Sequence, residues 1–158
     1  MPISITPIGI VHSPFEAPQG MPIQAALSDA VGTLEIYPEY VDGLSDIAGF
    51  DYLILLYHFH ITRKESLCVT PFLDDEPRGV FATRAPTRPN RIGLSIVRLL
   101  NVMGNVLDIG NIDMVSGTPV IDIKPYVPAF DSRVECGIGW FAQKLSGAEK
   151  VRADDRMR

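Results

Sequence analysis

The sequence predicts a mainly β fold, an all-β barrel or sandwich with small helical additions. Two observations carry this. Apolar residues recur in short, alternating, β-branched runs instead of long helical periods, and thirteen prolines stand beside thirteen glycines in 158 residues, so turns are frequent and elements short.

Ile3, Ile5 and Pro7 alternate with small polar residues and lead into Ile8–Val11, a first strand bounded by Ser13–Pro14. Residues 16–24 carry Pro18, Gly20 and Pro22 and read as a loop. In 32–37, Leu34 and Ile36 alternate against Thr33 and Glu35, giving a second strand. Pro38 can open a short helix through Tyr40 and Val41, ended by Asp42–Gly43. The longest apolar stretch, 50–61, alternates Tyr57, Phe59 and Ile61 and predicts the central strand. Residues 63–77 are polar and proline-interrupted, and 79–82 restart an extended segment. Residues 94–103 fit helix or strand on periodicity alone. Gly104–Asn105 followed by Val106–Ile109 has the form of a hairpin return and selects strand. In 118–127, Ile121 and Ile123 face one way and Asp122 and Lys124 the other, with Pro125 forcing an edge or exit. Trp140, Phe141 and Leu145 sit at near-helical spacing, predicting a short docking helix, and the charged residues after Gly147 predict a frayed tail.

The net charge of −5 disfavours nonspecific nucleic-acid binding, so an RNA-handling protein of this kind needs a local basic face; DNA is not an expected partner. Cys68 and Cys136 lie outside any CxxC spacing and read as buried thiols in a reducing compartment. No apolar run reaches the ~20 residues that span a bilayer, and no charged leader precedes a long apolar segment, so a cytoplasmic protein without membrane contact is expected.

The strongest chemical signal is the stretch 79–95, GVFATRAPTRPNRIGLS, with Arg84, Arg88 and Arg91 among two prolines. Proline removes loop entropy and arginine presents a planar donor fork, a combination suited to a preformed anion or carboxylate site. His58 and His60 stand at i and i+2, which can begin a metal site, but no third ligand is placed nearby and no metal is expected. Asp122 and Lys124 share one strand face, as a general acid–base pair or an ordinary ion pair. Asp113 follows a strand end, where it binds a ligand hydroxyl or amine or closes a turn. GxGxxG, Walker and GxSxG signatures are absent.

Together, GVFATRAPTRPNRIGLS, LILLYHFH and SGTPVIDIKPYVP resemble the TrmO (TsaA-like) family from Ile8 to about Phe130. The resemblance implies a single-domain β-barrel with a few short helices over residues 1–135, followed by a C-terminal extension, 136–158. It implies S-adenosylmethionine as cofactor and methyl transfer to the exocyclic nitrogen of threonylcarbamoyladenosine in tRNA, near the anticodon. Family cofactor contacts fall on Arg84, Leu94, His60 with Ile61, and Gly110, Asn111, Ile112 and Asp113; the P-x-Q element, Pro22 and Gln24, brings Ala25, Ala26 and Leu27 towards the cofactor. A homodimer with the site near the subunit contact is implied as well.

Within that frame Arg84 suits the methionine carboxylate, Asp113 suits its ammonium or a ribose hydroxyl, and Asp122 or Tyr126 is the candidate base. Arg88, Arg91 and Lys124 are the candidates for the acceptor. The family usually has proline at Arg91 and aspartate at Ser116, and many members carry a C-terminal domain that this chain is expected to lack. A small-metabolite methyltransferase and a non-catalytic S-adenosylmethionine-binding module are the alternatives.

Overall fold

A computed structural model describes residues 1–157. In chain order the strands are β1 (Gly9–His12), β2 (Val31–Ile36), β3 (Tyr52–His58), β4 (Cys68–Val69), β5 (Arg78–Gly79), β6 (Ile92–Met103), β7 (Val106–Gly110) and β8 (Pro119–Pro125). Six of them close an antiparallel barrel in the order β1-β2-β7-β6-β3-β8, while β4 and β5 form a separate two-stranded ribbon. Closure removes sheet edges, so short strands with many turns suffice.

Alternation fills the barrel. Leu34 and Ile36 of β2, Leu53, Leu55 and Tyr57 of β3, Val97 of β6 and Leu107 and Ile109 of β7 all point inward and are buried. The segment 94–103 is strand, as the hairpin signal requires: Met103 pairs with Val106 across Gly104, whose φ of 60° lies in the left-handed region.

The last barrel strand departs from simple alternation. Leu56 of β3 faces Asp122 and Tyr57 faces Val120, so Ile121 is an extra residue in β8. This bulge lets Val120 and Ile123, three residues apart, both meet the core, and Ile121 does not share Ile123's direction as alternation predicts.

Four further expectations change. Residues Val80–Ala82 form a 3-10 turn instead of extended chain. The segment after Cys136 gives a 3-10 turn at Gly139–Gln143. Both cysteines are exposed. Residues after Gly147 are not frayed: Ala148, Ala153 and Met157 are buried, the last joining Val69, Val80 and Ala85 in a second apolar cluster. Charge density hid these three apolar side chains in the sequence, since a helix or strand period never links them. Among the described residues no helix is long and apolar enough to cross a membrane.

Candidate functional site

The chain between the ribbon and β6 folds back on its own carbonyls. Thr83 Oγ1 donates to Val80 O and accepts from the Ala85 amide. Arg88 Nη1 donates to Thr83 O at 2.9 Å and to Ala85 O at 3.2 Å, and Arg91 Nη1 donates to Thr62 O at 2.7 Å. Arg91 holds a φ of 49°, costly for a side chain with a Cβ, and its carbonyl accepts from the Phe59 amide. Arg88 therefore ties the loop to itself and Arg91 ties it to Thr62, each spending donor capacity on backbone carbonyls, a use that residue types alone did not reveal. Arg84 is different. It is exposed, and its Nη1 donates only to a side chain, Gln24 Oε1 at 2.9 Å, which brings the P-x-Q loop and the arginine loop together.

Beneath Arg84 runs a line of three polar side chains. Ser95 Oγ on β6 is 2.6 Å from Asp113 Oδ1 and 2.9 Å from Tyr57 Oη on β3. A carboxylate only accepts, so the serine proton goes to Asp113 and the tyrosine proton to Ser95. Burial pushes the Asp113 carboxyl up to about 6; the Ser95 hydroxyl, Arg84 and the Ala25 amide pull back towards ionisation. Burial, then the Asp113 charge, pushes the Tyr57 phenol far above its ordinary range. Tyr57 lies opposite Gly93 in the β3–β6 register, and a Cβ on Gly93 would collide with the tyrosine ring and come within 2.9 Å of Phe59 Cζ. The glycine is what allows the phenol to lie across the strand.

Two cavities meet at Gln24, Arg84 and Leu94. The first, about 360 Å³, also takes in His60, Ile61 and Asp113. The second, about 480 Å³, takes in Ala25, Ala26, Asn111, Ser95 and Tyr126. Volumes of this size suit a small organic ligand. The two sets of residues expected to hold one cofactor thus face adjoining spaces with Arg84 and Leu94 as their common wall. His60 loses basicity mainly through burial, then through His58, and its amide donates to His58 O at 2.8 Å as the strand ends.

Several expected residues lie elsewhere. Gly110 is buried in the sheet, paired with Val31 and Arg98, and Ile112 is fully buried in the barrel core. Both position Asn111 and Asp113 and line neither cavity. Leu27 closes the turn Ala25–Leu27 and also lines neither. Asp122 and Lys124 form an ion pair at 2.8 Å with side chains 42% and 61% exposed, outside both cavities, so Asp122 is an ordinary surface pair member. Tyr126 reaches the second cavity, edge-on to Tyr52 at 6.3 Å. Sequence reasoning missed Tyr57 and Ser95; a glycine within the strand, Gly93, was the one local signal, and only the β3–β6 register shows that it faces Tyr57.

Comparison with known proteins settles the lineage. Residues 10–132 match the model of the tRNA-methyltransferase O N-terminal domain. The chain belongs to the TrmO family. It is 51% identical over 155 residues to a probable S-adenosyl-L-methionine-binding protein of Pyrococcus abyssi, covering 98% of this chain and 84% of that one. It is 37% identical over 153 residues to the tRNA (adenine(37)-N6)-methyltransferase of Escherichia coli K12, covering 90% of this chain and 65% of the relative. A crystal structure of TrmO from Pseudomonas aeruginosa superposes with a TM-score of 0.75 at 38% identity, over 89% of this chain and 63% of that one. The chain thus spans under two thirds of the length of the last two. The TrmO match contains Gln24, Tyr57, Arg84, Gly93, Ser95 and Asp113; Trp140, Phe141 and Met157, which line the same first cavity, lie beyond it.

Proposed function

We propose that this protein is an S-adenosylmethionine-dependent methyltransferase whose acceptor is the exocyclic nitrogen of threonylcarbamoyladenosine in tRNA, near the anticodon. The observation that carries it is the pairing of Arg84 with Asp113 on one cavity. An exposed guanidinium and a buried carboxylate lining one cavity match the two charges of an amino-acid moiety, and Asp113, held half in check by its burial, is completed by a bound cation. The residues present therefore fit the cofactor, which supplies an already activated methyl group on its sulfonium.

The protein's part is mainly orientation. Arg84 binds the carboxylate end, Asp113 the ammonium, and Leu94 with Ile61 gives an apolar wall. Ser95 and Tyr57 hold Asp113 in place from behind. Tyr126, the candidate that reaches a cavity, would relay the acceptor nitrogen's proton to solvent, its hydroxyl releasing its own proton as it takes up that one. Arg84→Ala is expected to raise the cofactor Kd about tenfold or more, while Arg98→Ala changes it by less than about twofold, both by calorimetry; equal effects contradict the assignment. Asp122→Asn is expected to leave turnover within about twofold, because an exposed ion pair contributes little.

We place a homodimer and a cytoplasmic tRNA encounter in the same reading. Ile92, Leu94 and Ile96 on the outer face of β6 are exposed beside Tyr52 and the cavity wall, an apolar strip suited to a second copy; light scattering tests it. The net charge of −5 favours a second reading, a small-metabolite acceptor. Incubation with methyl-labelled cofactor and tRNA carrying threonylcarbamoyladenosine separates the two: label in tRNA supports the first, and unlabelled tRNA under cofactor-binding conditions rejects it.

A further inference from the structure

One wall of the first cavity comes from outside the barrel. Phe72 and Leu73 reach it from the ribbon region, and Trp140, Phe141 and Met157 from the C-terminal segment. That segment is firmly docked. The Trp140 indole donates to Ala82 O at 2.8 Å, Arg156 Nη1 donates to Pro71 O at 2.9 Å, and Lys144 meets the buried carboxylate of Asp74 at 3.3 Å. The Gly20 amide donates to Ala153 O at 2.8 Å and the Ala153 amide donates to Met21 O at 2.9 Å, so the tail also braces the loop that carries Gln24. Its one cavity carboxylate, Asp154, is paired with Arg156 at 2.7 Å. Trp140 stacks on Phe141 with centroids 4.0 Å apart and carries the Arg78 guanidinium at 5.4 Å, so it acts as a prop behind Phe141.

None of this wall is used by the residues that hold the cofactor's charges. It is aromatic and aliphatic, with its charges internally paired, and it opens on the same space as Arg84 and Asp113. An uncharged planar ring fits such a surface, and an unstacked anticodon-loop base is that kind of ligand. We propose that this wall, to which Phe141 and Met157 contribute, receives the methyl-acceptor purine. The proposal rests on the methyltransferase reading and deepens it.

Trp140 is the only tryptophan, so its fluorescence reports on this wall. The protein is first saturated with S-adenosylhomocysteine, its binding measured by calorimetry, and then titrated with the nucleoside N6-threonylcarbamoyladenosine. A saturable change in emission is expected. Phe141→Ala is expected to weaken nucleoside binding at least about fivefold, Phe141→Tyr to retain it, and both to keep the S-adenosylhomocysteine Kd within about twofold. Met157→Ala, read in the same way, gives a second variant should Phe141→Ala melt early. Competition between nucleoside and S-adenosylhomocysteine assigns the wall to the cofactor's own adenine and overturns the proposal. Nucleoside binding that is absent, or unchanged in both alanine variants, also overturns it. Absence of S-adenosylhomocysteine binding to the unaltered protein instead overturns the underlying functional reading.

Discussion

Gly93→Ala is expected to abolish measurable cofactor binding while leaving a folded barrel. The added methyl would occupy the space of the Tyr57 ring and press on Phe59, so the phenol must swing away or β3 and β6 must part. Overpacking of this kind costs about 1–3 kcal/mol, which lowers the melting temperature without removing the fold. The functional loss is larger because the displaced group is the far end of the Tyr57–Ser95–Asp113 line. Tyr57→Phe is the companion. It keeps the ring and removes only the hydroxyl, so its melting temperature changes little while cofactor binding weakens severalfold. A Gly93→Ala protein that binds cofactor normally would show that the line does not support the site.

Asp113→Asn is expected to raise the cofactor Kd thirtyfold or more, the about 2–5 kcal/mol associated with breaking a buried charge pair. Two pH measurements separate this from simple damage. Because the Asp113 carboxyl titrates near 6, a cationic ligand group meets an ionised partner above that pH and a neutral one below it. The wild-type affinity therefore falls as pH drops through 6, and the Asn variant loses that dependence. Stability runs the other way. A carboxyl whose folded pKa is raised above its unfolded value makes the apo protein less stable above about pH 4, as the buried group ionises, with the full cost present above 6. The neutral amide escapes that cost, so apo Asp113→Asn melts no lower than the wild type at pH 8. An Asn variant that keeps both tight binding and the wild-type pH profile would remove Asp113 from the site.

Much of the barrel was legible because burial on one face leaves period-two alternation in the chain. Leu34 and Ile36, or Leu53, Leu55 and Tyr57, each announce a strand and its inner face. The bulge at Ile121 was not legible, since an inserted residue changes the phase of the pattern without changing its composition. The arginine loop was visible as a site, but its three cations look alike in sequence. Only the backbone path shows that Arg88 and Arg91 serve the carbonyls of Thr83, Ala85 and Thr62 whereas Arg84 faces outward to Gln24. Ser95 lay in the quoted motif without a role, because its partners Tyr57 and Asp113 are 38 and 18 residues away. The closing segment was misread for a related reason: Ala153 and Met157 are buried against residues about seventy to a hundred and thirty positions earlier, and no local period records such contacts.

The most direct test of the site is a crystal structure of the protein with S-adenosylmethionine. The expected result places the methionine carboxylate on Arg84 and its ammonium on Asp113, with Leu94 against the ligand and the Ser95 and Tyr57 hydroxyls still in line behind. A cofactor bound away from both Arg84 and Asp113 would contradict the account.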